Sequence, residues 1–145
     1  MKLFDINLRP PYFTDDQIDD SLQLANVLKL NEDELPKLAT QYALTGDSKE
    51  IIGQLAARFD LTTIAYTRGP EGAMLYHQGE VSQCASKPVD IVDTVGAGDA
   101  FTAAMVLGIV AGDGLDEVNR RAIEIASYVC GQPGATMAFP ADFLF

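Results

Sequence analysis

Hydrophobic residues recur along this chain with two periods, and the changes between them mark strands and helices. Lys2–Ile6 opens the chain as a strand. Over Asp15–Ala25, Ile18, Leu22 and Ala25 share one face while Asp16, Asp19 and Asp20 occupy another, which predicts an amphipathic helix. Asn26–Leu30 reads as a short apolar strand. Asn31 then precedes a helix on which Leu35, Leu38 and Tyr42 lie together. Asp47 with Glu50 three residues on is a capping box, and it starts a helix whose expected buried face is Ile51, Leu55 and Phe59. Leu61–Thr67 is rich in β-formers and ends at Arg68-Gly69-Pro70-Glu71-Gly72. Ala73–His77 and Val81–Ala85, joined across Gln78-Gly79, predict a hairpin. Val89–Val92 predicts one more short strand.

The last third is helical. Gly98–Gly112 is apolar nearly all round, so cover on several sides is expected. Leu115–Gly131 spaces Leu115, Val118, Ala122, Ile125 and Val129 for one face. Strands alternating with helices predict an α/β fold with a largely parallel sheet and one antiparallel hairpin. No internal repeat or low-complexity stretch interrupts the pattern. A strand at the first residues and the ending Asp142-Phe143-Leu144-Phe145 predict an open sheet edge or apolar surface wanting a neighbour. A missing N-terminal portion or a homo-oligomer would supply it.

Composition narrows the partners. The 145 residues suit one domain with a real core. Ten basic against twenty-one acidic side chains leave a formal charge of −11, which repels nucleic acid and anionic membranes. Neither is an expected partner. The apolar run from Ala100 to Gly112 is shorter than the ~20 residues that span a bilayer, and no signal peptide is visible, so a cytoplasmic location is expected. Cys84 and Cys130 suggest neither a disulfide framework nor a zinc site and are read as reduced.

The chemistry concentrates in Asp93-Thr94-Val95-Gly96-Ala97-Gly98-Asp99, between the strand expected to end at Asp93 and the following helix. A glycine-rich turn at a helix N-terminus leaves backbone N–H groups aimed outward, where the helix dipole favours an anion. Asp99, in the first turn, is placed to accept a proton from an attacking hydroxyl or simply to cap the helix. A dinucleotide fingerprint would need glycine where Phe101 stands, and a P-loop needs a Gly-Lys pair that the chain lacks. A serine hydrolase would have to use His77, the only histidine, without any Gly-x-Ser-x-Gly. His77 is expected to be an exposed strand residue.

Asp93-Thr94-Val95-Gly96-Ala97-Gly98-Asp99-Ala100-Phe101 resembles the C-terminal signature of the ribokinase/PfkB family of carbohydrate kinases. Four further segments resemble family motifs in the family's order. They are Phe4-Asp5-Ile6-Asn7-Leu8-Arg9 (fructokinase-like members), Asn31-Glu32-Asp33-Glu34, Thr67-Arg68-Gly69 with Gly72, and Gly134-Ala135 before Pro140. The resemblance implies a ribokinase-like three-layer α/β/α fold, with residues 1–145 as the nucleotide-binding and catalytic half. The same resemblance implies that the family's N-terminal half, which carries most of the sugar site and the lid, is not among these residues.

It also implies roles. Asp99 would be the base, with the amides of Gly96, Ala97 and Gly98 as anion hole. Thr67, Gly69 and Gly72 would lie along the phosphates of ATP. Asn31 and Glu34 would organise Mg2+ through water, although the same pair is also a capping box. Asn7 and Arg9 would face the substrate, a small sugar or sugar acid; Arg9 suits bidentate contact with a phosphate or another anion, or a structural ion pair. Asp93 and the carbonyl of Val95 would neighbour a monovalent cation such as K+. The stretch 123–131 is bulkier than the small-residue run that relatives place beside adenine, so the adenine contacts stay unassigned.

Overall fold

The computed structural model describes residues 1–134, 136–140 and Phe143. Ala135, part of the ending motif, and residues 141–142 and 144–145 lie outside the described residues. The chain divides into two compact units. One comprises Met1–Arg68 with Leu75–Val81, and the other Gly69–Met74 with residues 82–145.

In the first unit, β1 (Leu3–Asp5), β2 (Val27–Asn31) and β3 (Thr63–Thr67) alternate with helices α1 (Asp15–Leu24), α2 (Leu35–Gln41) and α3 (Ser48–Phe59). The three strands are parallel, with Asp5 beside Lys29 and Asn31 beside Thr67. A near-continuous apolar run makes β2 and β3 suited to burial on both faces, and Leu28, Leu30, Ile64 and Ala65 are fully buried. Lys29, the polar exception in β2, is buried beside Asp5, with Nζ 3.1 Å from the carboxylate. Both α1 and α3 begin on capping boxes, Thr14 with Gln17 and Asp47 with Glu50.

β4 (Ala73–His77) and β5 (Glu80–Cys84) complete one sheet in the order β1-β2-β3-β4-β5, each strand running from one unit into the other. Their two-residue connection makes them antiparallel. Gln78 and Gly79 have φ of 48° and 94°, the left-handed pair of a tight hairpin turn. The sheet leaves β1 as an open edge, where Leu3 is exposed. The second unit also contains α4 (Ala97–Ala111) and α5 (Leu115–Cys130). Gly108 lets them approach, since a Cβ there would stand 2.9 Å from Val118 Cγ2.

Four expectations are corrected. Val89–Val92 forms no strand; its valines and Ile91 are exposed, and the N–H groups of Val92 and Asp93 reach the carbonyl of Cys130 at the end of α5. The buried face of α3 is Ile52, Leu55 and Ala56, with Ile51 and Phe59 only half-buried. α4 buries only one side, that of Phe101, Ala104, Met105 and Gly108, while Leu107 and Val110 are 48 % and 71 % exposed. His77 is half-buried rather than exposed, its Nδ1 2.8 Å from the hydroxyl of Thr63. No helix among the described residues is long and apolar enough to cross a membrane.

Candidate functional site

In the second unit the glycine-rich turn is held from both sides. Val92 and Asp93 donate to the Cys130 carbonyl at 2.8 and 3.2 Å. One carboxylate oxygen of Asp93 accepts the N–H of Val95 at 3.0 Å and the other accepts the N–H of Gly134 at 3.2 Å. Gly96, with φ of 84°, is the N-cap of α4 and contributes no side-chain cap. That left-handed conformation favours glycine. Asp99 is exposed in the first turn and does not cap the helix.

The amides of this turn are not equivalent. Ala97 N–H donates to Thr94 O at 3.3 Å, and Ala100 N–H donates to Gly96 O at 2.9 Å. Among the described residues, the N–H groups of Gly96, Gly98 and Asp99 find no backbone acceptor. For the two helical ones this follows from their place in the first turn, where no carbonyl lies one turn earlier within the helix. Of the three amides expected to form an anion hole, Gly96 and Gly98 are open and Ala97 is engaged. Behind the turn, burial and then the Asp93 charge push the Cys130 thiol above its ordinary range.

The Gly69–Gly72 loop lies in the same unit. Gly69, Pro70 and Glu71 make one 3-10 turn, closed from Gly72 N–H to Gly69 O at 3.1 Å. Gly72 has φ of 90°, and a Cβ there would stand 2.0 Å from the carbonyl of Cys84. The backbone of the segment after β5 therefore requires glycine at this position, whatever ligand the loop meets.

A cavity of about 310 Å³ also belongs to this unit, lined by Ala85, Val89, Ile123, Ser127, Tyr128 and Phe143 among others. The rings of Tyr128 and Phe143 meet tilted at 36°, with centroids 5.1 Å apart. Nothing in the sequence pattern announced it, because its walls come from a loop that reads as a strand and from α5. Asn119 was missed too. It is completely buried, and its side-chain NH2 donates to the carbonyls of Ala73 and Ser82 and to the Ser82 hydroxyl, each at 3.2 Å. A buried polar residue in an apolar helix stripe is the signal that marks such a fastener.

The first unit gathers its candidates at the C-terminal ends of three parallel strands, the edge at which open α/β sheets bind ligands. Asn7 and Arg9 follow β1, Asn31 and Glu34 lie at the end of β2, and Thr67 closes β3. Asn7 and Arg9 are exposed. The Thr67 hydroxyl donates to Leu30 O at 3.4 Å. Asn31 Oδ1 accepts the N–H groups of Asp33 and Glu34 at 2.9 and 3.0 Å. Glu34 is 4 % exposed, and its two oxygens accept the N–H of Leu8 at 2.9 Å and of Asn31 at 2.8 Å. Asn31 and Glu34 thus close the turn ahead of α2 on each other, although the N-cap of α2 is Glu34 and carries no side-chain cap; each Glu34 oxygen keeps a second lone-pair direction for water. No group of three or more His, Cys, Asp or Glu side chains suited to a metal ion lies among the described residues.

The sequence profile of the pfkB family carbohydrate kinases matches residues 1–142. The chain is 34 % identical over 139 residues to fructokinase of Klebsiella pneumoniae, covering 92 % of this chain and 44 % of that one. Among solved structures, Arabidopsis thaliana ribokinase with ribose and ATP superposes with a TM-score of 0.70 at 28 % identity, over 92 % of this chain and 42 % of that one. An E. coli protein described as a ribokinase II, in complex with ATP and Mg2+, superposes with a TM-score of 0.77 at 23 % identity, over 91 % and 42 %. The ribokinase-like α/β fold is thus the fold of this chain, which spans less than half the length of the relatives it matches.

Proposed function

The chain belongs to the pfkB family of carbohydrate kinases, and from that premise we propose that it carries the nucleotide-binding and proton-abstracting, C-terminal half of an ATP-dependent, fructokinase-like sugar kinase. The observation that carries this reading is the start of α4, where open N–H groups at Gly96 and Gly98 adjoin the exposed, uncapped carboxylate of Asp99. Asp99 takes the proton as a sugar hydroxyl attacks the γ-phosphorus. The new O–P bond forms while the bond to the leaving ADP breaks. The open amides and the helix dipole offset the negative charge on the transferring group.

Thr67, Gly69 and Gly72 border the phosphates in this reading, and Asn7 and Arg9 face the sugar or sugar acid. The cavity beside Tyr128 is apolar and aromatic enough to take a planar base. Mg2+ would arrive with the nucleotide phosphates and neutralise charge there, with Asn31 and Glu34 helping to organise it through water. A monovalent cation at Asp93 and the Val95 carbonyl belongs to the same proposal, as does a cytoplasmic location.

A second reading is favoured by one observation, that the chain spans 44 % of the fructokinase it matches. In it, the chain is a nucleotide-binding module that turns over only with the complementary half or in a homo-oligomer, since positioning the hydroxyl and excluding water are large parts of phosphoryl transfer. The test is ADP release from Mg·ATP with and without a panel of hexoses, pentoses and sugar acids, for the parent and Asp99→Asn at known oligomeric state. Sugar-dependent release lost in Asp99→Asn supports the kinase reading, and equal release from both chains sinks the base assignment. Mg·ADP binding without any release supports the second reading.

A further inference from the structure

The cavity beside Tyr128 has a polarity of its own. Three uncharged side chains in its lining carry a proton to donate, Cys84, Ser127 and Tyr128. Tyr128 O–H donates to Ala138 O at 3.1 Å, and the Cys84 thiol donates to Ala85 O at 3.8 Å. Ser127 Oγ lies 3.2 Å from Ser86 Oγ, and Ser86, outside the lining, also donates to Lys87 O at 3.3 Å. A hydroxyl has one proton and two lone pairs. With the Ser86 proton spent on Lys87 O, the shared bond runs from Ser127 to Ser86. The reverse direction would turn the Ser127 proton out into an apolar cavity and take Ser86 from Lys87 O, making one bond where the chain makes two. Ser127 thus presents lone pairs to the cavity and no proton. The cationic donors in the lining, Lys87 and Arg120, have side chains 85 % and 48 % exposed, and both pair with Glu124 at the rim.

Purines differ in the group that such an acceptor meets. Adenine carries an amino group where guanine and hypoxanthine carry a carbonyl oxygen. The amino group gives Ser127 a proton. The carbonyl sets lone pair against lone pair, or breaks the bond from Ser127 to Ser86 to obtain one. We propose that Ser127 is a specificity-determining residue, held as an acceptor by Ser86 so that the cavity selects an amino purine over an oxo purine. The inference rests on the reading of this cavity as the seat of the planar base, and adds which side chain chooses the base and by what means.

Titration of the purified chain with Mg·ADP and with Mg·IDP, followed by NMR at the Val89 and Tyr128 amides, tests this, because the two nucleotides differ only along the purine edge. The parent is expected to bind ADP about tenfold more tightly than IDP. Ser127→Ala removes the acceptor, and the ratio should fall to about one through weaker ADP binding. Ser86→Ala frees the Ser127 hydroxyl to turn and donate, so there the ratio should fall through tighter IDP binding. That contrast separates a polarity set by Ser86 from a pocket merely loosened by substitution. Glu124→Gln, at the rim, should keep the parent's ratio. Equal affinities in the parent overturn the inference alone, as does a ratio that survives in Ser127→Ala or Ser86→Ala. A ratio lost in Ser86→Ala through weaker ADP binding, or lost in Glu124→Gln, overturns it too. If neither nucleotide shifts Val89 or Tyr128, the reading of the cavity fails and the inference falls with it.

Discussion

Asp93 and Gly134, 41 residues apart, are joined by a hydrogen bond of 3.2 Å from the glycine N–H to Asp93 Oδ2. With Val95 on its other oxygen, Asp93 ties the turn before α4 to the segment after α5. Asp93→Ala removes both acceptors and should cost about 1–3 kcal/mol. The milder Asp93→Asn removes the charge that, after burial, holds the Cys130 thiol above its ordinary range. Its thiolate fraction should then rise, and alkylation of Cys130 by iodoacetamide at mildly alkaline pH should speed up. Mass spectrometry of the modified peptide reads the rate, and unchanged or slower alkylation would contradict the linkage.

Gly72→Ala places a Cβ 2.0 Å from the Cys84 carbonyl and 2.7 Å from Ser86 N, at a φ of 90°. Both neighbours are backbone and cannot swing aside. Strain and overpacking together should cost about 3 kcal/mol or more, visible as a lower urea midpoint. A parent-like midpoint would mean that the loop can leave the segment after β5.

Asn119→Asp removes the NH2 that serves three oxygens and sets a carboxylate against them in a fully buried position. The expected loss is ~3 kcal/mol or more. Denaturant unfolding measures it, and a loss under about 1 kcal/mol would show that α5 can be held without this fastener.

Tyr42 gives a pH dependence. Burial and then the nearby Asp19 carboxylate push its hydroxyl up to about 12, from 10.0. The folded chain thus holds this proton more tightly than the unfolded chain. Its contribution to stability is complete below pH 10 and is lost as pH rises through 10 toward 12. Tyr42→Phe also loses the hydroxyl contacts to Asp19 and Gln41, so it should start less stable but fall less steeply in that window. Parallel alkaline unfolding curves for the two proteins would exclude the coupling.

Much of the architecture was legible locally. The Asp47–Glu50 capping box, the Gln78–Gly79 hairpin and the glycine turn before α4 are each specified by residues within a few positions of one another. Turn and cap preferences act at that range. The face of α3 was not legible, because Ile51, Ile52, Leu55, Ala56 and Phe59 make two adjacent stripes apolar, and only the neighbouring sheet chooses between them. Val89–Val92 has the composition of a strand, but a strand needs a partner's N–H and C=O groups. This segment instead finds the Cys130 carbonyl.

The candidate site divides in the same way. By itself the sequence determined the order of elements apart from the strand expected at Val89–Val92, the glycine turn with Asp99 beside it, and the placement of Asn31 and Thr67 near strand ends, because helix starts and strand periods are encoded by near neighbours. Only the tertiary structure decided that Ala97 N–H is engaged, that Gly72 answers to the backbone at Cys84, that Tyr128 and Phe143 wall a cavity, and that Glu34 accepts the N–H of Leu8. The first is set by how the turn closes on Thr94, and no residue pattern records a single turn's hydrogen-bond choice. The others join residues 12 to 26 positions apart in sequence, where packing and the satisfaction of buried polar groups, not local period, select the contact.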